Sequence, residues 1–495
     1  MLCAELHAEV VLVRKGQSPY TIVVGEDCSP PEQHAAHEPQ RFIQEISNAR
    51  LPLTDSPSAT CLRQGCLFVG QSSALNQLAG DIAWRTLGEE GFVIKRQGTH
   101  LILAGGKGRG SLYACYDFLY RYLDCRWFTP TVSRIPRRET ITLPDIDIYK
   151  QPVLEYRDIF YYEAWDGHWS ARNHVTGINS RLEAKHGGKL RYHNQHFAHT
   201  VYDLVPPSQY FATHPEYFAE INGRRVGDEA QLCLSNPEVL EIATASVRRW
   251  AKEDPDANII SVSETDWHGH CECPTCRKLI DQEASYAGPL LHFINQIAEQ
   301  VRAEFPELSI GMLAYNHLYS RIPPQQIKPR PNVIVRLVTS GCCRFHPLAT
   351  CRSDFDYEGS VQFRQDLAGW RSVADRLYAW NYVSEYGDIL APFPNLDVLQ
   401  SDIKFFVENR VKGVFCEGIS GLAGGEFAEL RAYLLARFLW DPECNGQQVR
   451  QEFLAAYYGE AAPFITSYLD LFHQHVATGD MRSQRDTFMA TLPRP

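Results

Sequence analysis

The second half of the chain alternates continuously apolar runs with amphipathic helical stretches, and few folds can hold such a sequence. "ANIISVS", "SIGMLAY", "NVIVRLV", "LYAWNYV" and "VKGVFC" read as strands. Between and after them lie "GPLLHFINQIAEQVRAEF", "SVQFRQDLAGWRSVA", "NLDVLQSDIKFFVENR" and "GEFAELRAYLLARFLW", which read as helices. The first helix carries Leu290, Ile294, Ile297 and Val301 on one stripe, with Pro306 just past its end. A strand that is greasy on both faces must be covered on both faces, which is the situation of a parallel sheet or a barrel wall. The reading is an α/β chain whose residues 151–495 form a (β/α)8 TIM-like barrel with C-terminal helices.

Residues 1–150 have another texture. "YTIVVG" is a strand, and a helix begins at the "PP" of "PPEQHAAHEPQRFIQEISNAR", where Pro needs no N–H partner. "FVIKRQGTHLILAGG" is two strands around Gly98. "GSLYACYDFLYRYL" is a helix with Leu112, Tyr116, Leu119, Tyr120 and Leu123 on one face. The "GGKGRGS" before it is either a phosphate cradle without the usual spacing or a tight strand-to-helix turn. The Pro-punctuated "SRIPRRETITLPDIDIYKQP" closes this N-terminal α/β accessory domain near residue 150.

The net charge of −11 disfavours nucleic acid and anionic membranes as partners. No apolar run approaches the roughly 20 residues of a membrane span. Glu5 and Glu9 precede the first arginine and lysine, the reverse of a secretory signal, so the expected location is cytoplasmic. Fifteen cysteines, an odd number spread from Cys3 to Cys444, do not read as a complete disulfide framework.

Polar and acidic residues gather just past the greasy runs. Glu264, Asp266, Trp267, His268 and His270 follow one; Tyr315, Asn316 and His317 another; Thr339, Ser340 and His346 a third. Asn381, Tyr382 and Glu385 follow "LYAW", and Glu417 follows "KGVF". In a barrel these ends converge on the face that holds the active site. Glu264 and Asp266, two apart, point the same way on an extended segment. Such a pair splits into one acid and one base, as glycosidic cleavage requires, or else forms an acidic loop or a cation site. Trp165, Trp169, Trp267, Trp380, Tyr315 and Tyr382 offer flat faces to sugar rings or serve the core. Cys271, Cys273 and Cys276 in "CECPTC" offer three ligands of a structural zinc site, with His268, His270, Cys233, Cys342 or Cys343 as the fourth; packed thiols or a local disulfide are the alternative.

Residues 153–475 resemble a family of long-unknown function that includes glycoside hydrolase family 163. The likeness lies in "YRDIFYYEAWDGHWSARNHVTG", "FAHTVYDLVPPSQYFATHPEYFAEINGRR", "SVSETDWHGHCECPTC", "LYAWNYVSEYGDILAPFPNL" and "GGEFAELRAYLLARFLWDP". The N-terminal part resembles the accessory domain of hexosaminidase-type and α-glucuronidase-type enzymes, which favours the tight-turn reading of the glycines. The resemblance implies cleavage at a β-linked N-acetylglucosamine by a retaining, substrate-assisted route that requires no cofactor. It assigns Glu417 as acid/base, Asp266 and Glu264 as orienting groups, and His199, Arg157, Asn173 and Asn381 as sugar partners. Relatives carry their acidic residue directly after "GVF", where this chain has Cys416, and a one-residue step reverses a side chain's direction. The competing readings are a glycosidase for uronic or neutral sugars, with Arg157 and Arg344 facing a carboxylate, and a non-catalytic carbohydrate-binding barrel. The sequence does not set the oligomeric state.

Overall fold

The computed structural model describes residues 9–315, 320–352, 359–419 and 424–478. Its first sheet has six strands in the order Asp147–Lys150, Phe92–Gln97, His100–Gly105, Cys66–Val69, Thr21–Val24, Leu53–Thr54. Alternation sorts its side chains to two faces. Ile22, Val24, Leu67, Val69, Leu101 and Leu103 face the helices Pro30–Ser47 and Gly110–Tyr122. Val23, Phe68, Val93 and Ile102 face the short helices Ala59–Gln64 and Ser73–Leu78. Gly98, at φ +60°, turns the hairpin.

The glycine loop is a packing device. A Cβ on Gly106 would lie 1.8 Å from the Gly88 carbonyl oxygen, and one on Gly110 would lie 2.4 Å from that of Gly91. The N–H groups of Gly106, Arg109 and Gly110 donate to the carbonyls of Gly91 and Glu89, so these three are not offered to an anion. Gly106→Ala is expected to destabilise the first domain by several kcal/mol, measured by thermal melting; an unchanged melting temperature would reject the packing argument.

The second sheet holds six parallel strands in the order Tyr156–Ile159, Val411–Glu417, Leu377–Tyr382, Val333–Val338, Ser309–Ala314, Ile259–Ser261. Tyr192 adds one parallel bridge to Ile259 at the far edge. The Tyr156 and Tyr192 rings, from opposite edges, meet at 5.7 Å, so the sheet curls back on itself. Tyr156, Tyr192, Ile259, Ile334, Tyr378 and Phe415 fill the inside. Val333, Val335, Leu377, Ala379, Val414 and Cys416 face the outer helices.

The result is barrel-like, with six strands among the described residues in place of the expected eight. The difference falls between Ile159 and Ile259. That stretch forms short helices, a two-residue hairpin and the long helix Pro237–Glu253, because its prolines, histidines and glycines give no run that could bury both faces of a strand. No helix among the described residues is long and apolar enough to cross a membrane.

Candidate active site at the mouth of the curled sheet

The pleat decides which way Glu417 points. Along Val411–Glu417, Phe415 packs inside and Cys416 packs among the outer helices. Glu417, two after Phe415, therefore turns inward at the strand's C-terminal end. Trp380, inward on the neighbouring strand, donates its indole N–H to Glu417 Oε2 at 2.5 Å. Tyr382, paired in register with Glu417, sits beside it. Burial pushes the Glu417 carboxyl above its ordinary value, while the Trp380 bond, Arg344 and Arg336 pull the other way.

The opposite rim comes from the loop after Ile259–Ser261. Glu264 is half-buried and accepts a hydrogen bond from the Ser320 hydroxyl. Burial raises its carboxyl to about 7, and the Ser320 bond only partly offsets this. The shift thus comes from desolvation and not from Asp266, which stands exposed on the loop. His199 donates from Nδ1 to the Glu264 carbonyl oxygen at 2.9 Å. It does so from a left-handed backbone, φ +55°, uncommon for a residue with a side chain. The His199 ring meets Tyr315 edge-on at 5.5 Å.

A chain of side chains joins the two rims. Ser320 Oγ accepts from the Tyr315 backbone N–H at 3.0 Å while it serves Glu264. Tyr315 bonds through its side chain to Tyr382, and the Tyr382 hydroxyl is pushed up first by burial, then by Glu417 and Asp266, against Arg344. Asp266, Glu417 and Arg344 therefore share one neighbourhood. Arg344 lies 5.2 Å from the Tyr382 ring centre and 5.5 Å from that of Tyr386. A cavity of about 280 Å³ opens beside Glu264, Asp266, Trp267, His268, Tyr286 and Tyr315. Trp267 stays 52% exposed at its edge, free to meet a ring.

Several sequence-derived assignments lie elsewhere. Arg157 is fully buried on the outer side of its strand, where its guanidinium bonds both Glu90 oxygens at 2.9 and 3.0 Å and the His174 carbonyl at 2.7 Å. Trp169 is buried with its N–H on the Phe128 carbonyl. Asn173 donates to the carbonyls of Trp127 and Trp169. Arg157 reaches the first sheet through Glu90, Asn173 reaches Trp127 of that sheet's core, and Trp169 packs in the same core as Phe128, so none of the three faces the mouth. Asn381 lies between inward Trp380 and Tyr382, so it points to the helical layer, where it accepts from Thr339 Oγ1. His346 bonds the Cys343 thiol at 3.3 Å. Asn316 falls outside the described residues.

Sequence reasoning passed over Ser320, Tyr386 and Arg336. The Tyr386 hydroxyl donates to the Glu417 carbonyl at 2.5 Å. Arg336 is buried inside the sheet among the Tyr192, Phe197 and Trp380 rings. It had a signal, being the only charge in "NVIVRLV". A lone serine on a loop had none.

Cys233 joins Cys271, Cys273 and Cys276, all buried, with the four sulfurs within 4.8 Å of one another. Of the other proposed fourth ligands, His270 packs on the Tyr286 ring at 3.9 Å and Cys343 bonds His346. Cys61 and Cys66 form a disulfide, while Cys233, Cys271, Cys273 and Cys276 are reduced thiols.

Residues 127–470 match the family described as "Domain of unknown function (DUF4838)". Residues 4–118 match "Glycosyl hydrolase family 67 N-terminus". No curated protein matches the sequence. Among solved structures, the family GH115 4-O-methyl-α-glucuronidase BtGH115A, with specificity for decorated arabinogalactans, superposes with a TM-score of 0.55 at 13% identity. The match covers 94% of this chain and 62% of that one, so the chain spans less than two thirds of that enzyme's length. At this identity the likeness is one of fold.

Proposed function

The chain belongs to the DUF4838 family, and from that premise we propose that it hydrolyses a glycosidic bond to a uronic acid. The observation that carries the reading is the company around Tyr382: a carboxylate from each rim and the guanidinium of Arg344. A uronic sugar needs a cation for its own carboxylate, and a planar guanidinium gives two parallel hydrogen bonds to one. The glycosyl hydrolase type of the first domain and the uronidase with the same fold support this reading over a β-N-acetylglucosaminidase, whose neutral acetamide offers a guanidinium no opposite charge.

Two raised carboxyls with different neighbours divide the work. Glu264, near 7 and bonded by a neutral hydroxyl, keeps its proton near neutrality and suits the general acid. It protonates the glycosidic oxygen as the bond to the anomeric carbon breaks. Glu417, with an indole N–H and two arginines in reach, suits the ionised partner facing the cationic anomeric centre. This reverses the assignment that the family resemblance suggested for Glu417. Water supplies the hydroxyl that ends on the sugar.

The test is a panel of glucuronides, neutral glycosides and β-N-acetylglucosaminides. Hydrolysis of glucuronides is expected. Arg344→Ala should raise KM for them by about 10- to 100-fold, the worth of a charge-assisted pair, and raise KM for any neutral glycoside far less, while kcat falls for both alike through the loss of a cation beside Glu417. Turnover confined to N-acetylglucosaminides, indifferent to Arg344, would refute the uronide reading.

A further inference from the structure

The geometry points to a structural Zn²⁺ held by Cys233, Cys271, Cys273 and Cys276, which we propose as the staple that fixes the Glu264–Cys276 loop at the rim of the cavity. Four sulfurs about 2.3 Å from a tetrahedral zinc stand about 3.8 Å apart. Cys233 and Cys273 Sγ are 3.7 Å apart, and all six pairs fall within 4.8 Å. The sulfurs come from two places in the chain. Cys233 lies just before the helix Pro237–Glu253, Cys271 and Cys273 lead into the helix Pro274–Glu283, and Cys276 sits in that helix's first turn. Hydrophobic packing alone gives four thiols no reason to converge on one point.

The surroundings suit thiolates. The Glu220 backbone N–H donates to Cys271 Sγ at 3.4 Å, and Arg225 Nη1 lies 3.8 Å from the same sulfur. The Ser235 hydroxyl is 3.2 Å from Cys276 Sγ and 3.6 Å from those of Cys233 and Cys273. Tetrathiolate zinc carries two negative charges, and these donors with one guanidinium answer them. Ala219, Ala230, Ile221 and Val226 pack with the four cysteines in one apolar cluster. A closed, four-sulfur sphere leaves no open position, so the ion is structural and takes no part in hydrolysis. Cys271 and Cys276 also line the 280 Å³ cavity beside Glu264, so the metal ties that wall to the chain around Cys233.

Elemental analysis of the purified full chain tests this without reference to sugar chemistry. One zinc bound at the four thiols is expected. Cys276→Ser should remove one equivalent, whereas Cys28→Ser, at a half-buried thiol packed against the other core, should leave the stoichiometry unchanged. If Cys276→Ser does not fold, Cys273→His offers a ligand of the same class, and Co²⁺ exchanged into the wild type should show sulfur-to-metal charge transfer. Metal-free protein, iron in place of zinc, disulfides among these four cysteines, or zinc content indifferent to Cys276→Ser would each overturn the proposal.

Discussion

Glu264→Gln is expected to lower kcat on a glucuronide by about 10²- to 10⁴-fold, the usual contribution of a positioned acid, and at the same time to make the protein more stable above pH 7. Both effects come from one fact: a half-buried carboxyl raised to about 7 by lost solvation. The raised value means that the folded state binds this proton more tightly than the unfolded chain does. The contribution to stability is complete below the ordinary value of 4.5 and is lost as pH rises through 7. Above 7 the wild type holds an ionised carboxylate in a poorly solvated place. Glutamine keeps an oxygen for the Ser320 hydroxyl and never ionises. The variant should therefore match the wild type below pH 4.5 and exceed it by about 1–3 kcal/mol at pH 8. Denaturant melts at the two pH values read the difference. Wild-type activity should fall on the alkaline side with a midpoint near 7. A variant that retains turnover, or that is weaker at pH 8, would remove Glu264 from the acid's role.

The same residue shows what a sequence can and cannot carry. The greasy strands were legible because burial on both faces leaves no other pattern, and the five runs read as strands are strands in the structure. The sixth parallel strand, Tyr156–Ile159, hides its signal because Arg157 and Asp158 interrupt it. Glu264 and Glu417 stood out by following such runs. Their division of labour did not, because it depends on Trp380 from a neighbouring strand and on Ser320 and Arg344 from loops elsewhere in the chain. The direction of Glu417 was undecided until the pleat fixed it: Cys416 outward, Glu417 inward. Arg157, Trp169 and Asn173 were misjudged for a related reason. Polar and aromatic residues buried between two domains have the same composition as a sugar site, and only the identity of their partners separates them.

Loss of Glu90 should be the most damaging single change in the scaffold. Its carboxylate bonds Arg157 through both oxygens and Arg109 Nε at 2.8 Å, and Arg157 is fully buried. Two guanidinia from two domains thus meet one carboxylate. Burial pushes the Glu90 carboxyl up, but Arg157 and then Arg109 pull harder and hold it below its ordinary value of 4.5. A depressed value stabilises the fold above the unfolded-state value, and the stabilisation is lost as pH falls through the lower folded one. Glu90→Ala at neutral pH leaves both cations buried without an anion, which costs about 3–5 kcal/mol for a single pair. Adding Arg157→Met to Glu90→Ala should return part of that loss, because an apolar chain of similar size carries no charge to desolvate. The double-mutant cycle is the decisive measurement. If Glu90→Ala costs less than about 1 kcal/mol in denaturant unfolding, or if Arg157→Met worsens it further, the two domains are held by apolar packing around Trp440 and His174, stacked at 3.8 Å, and not by the ion network.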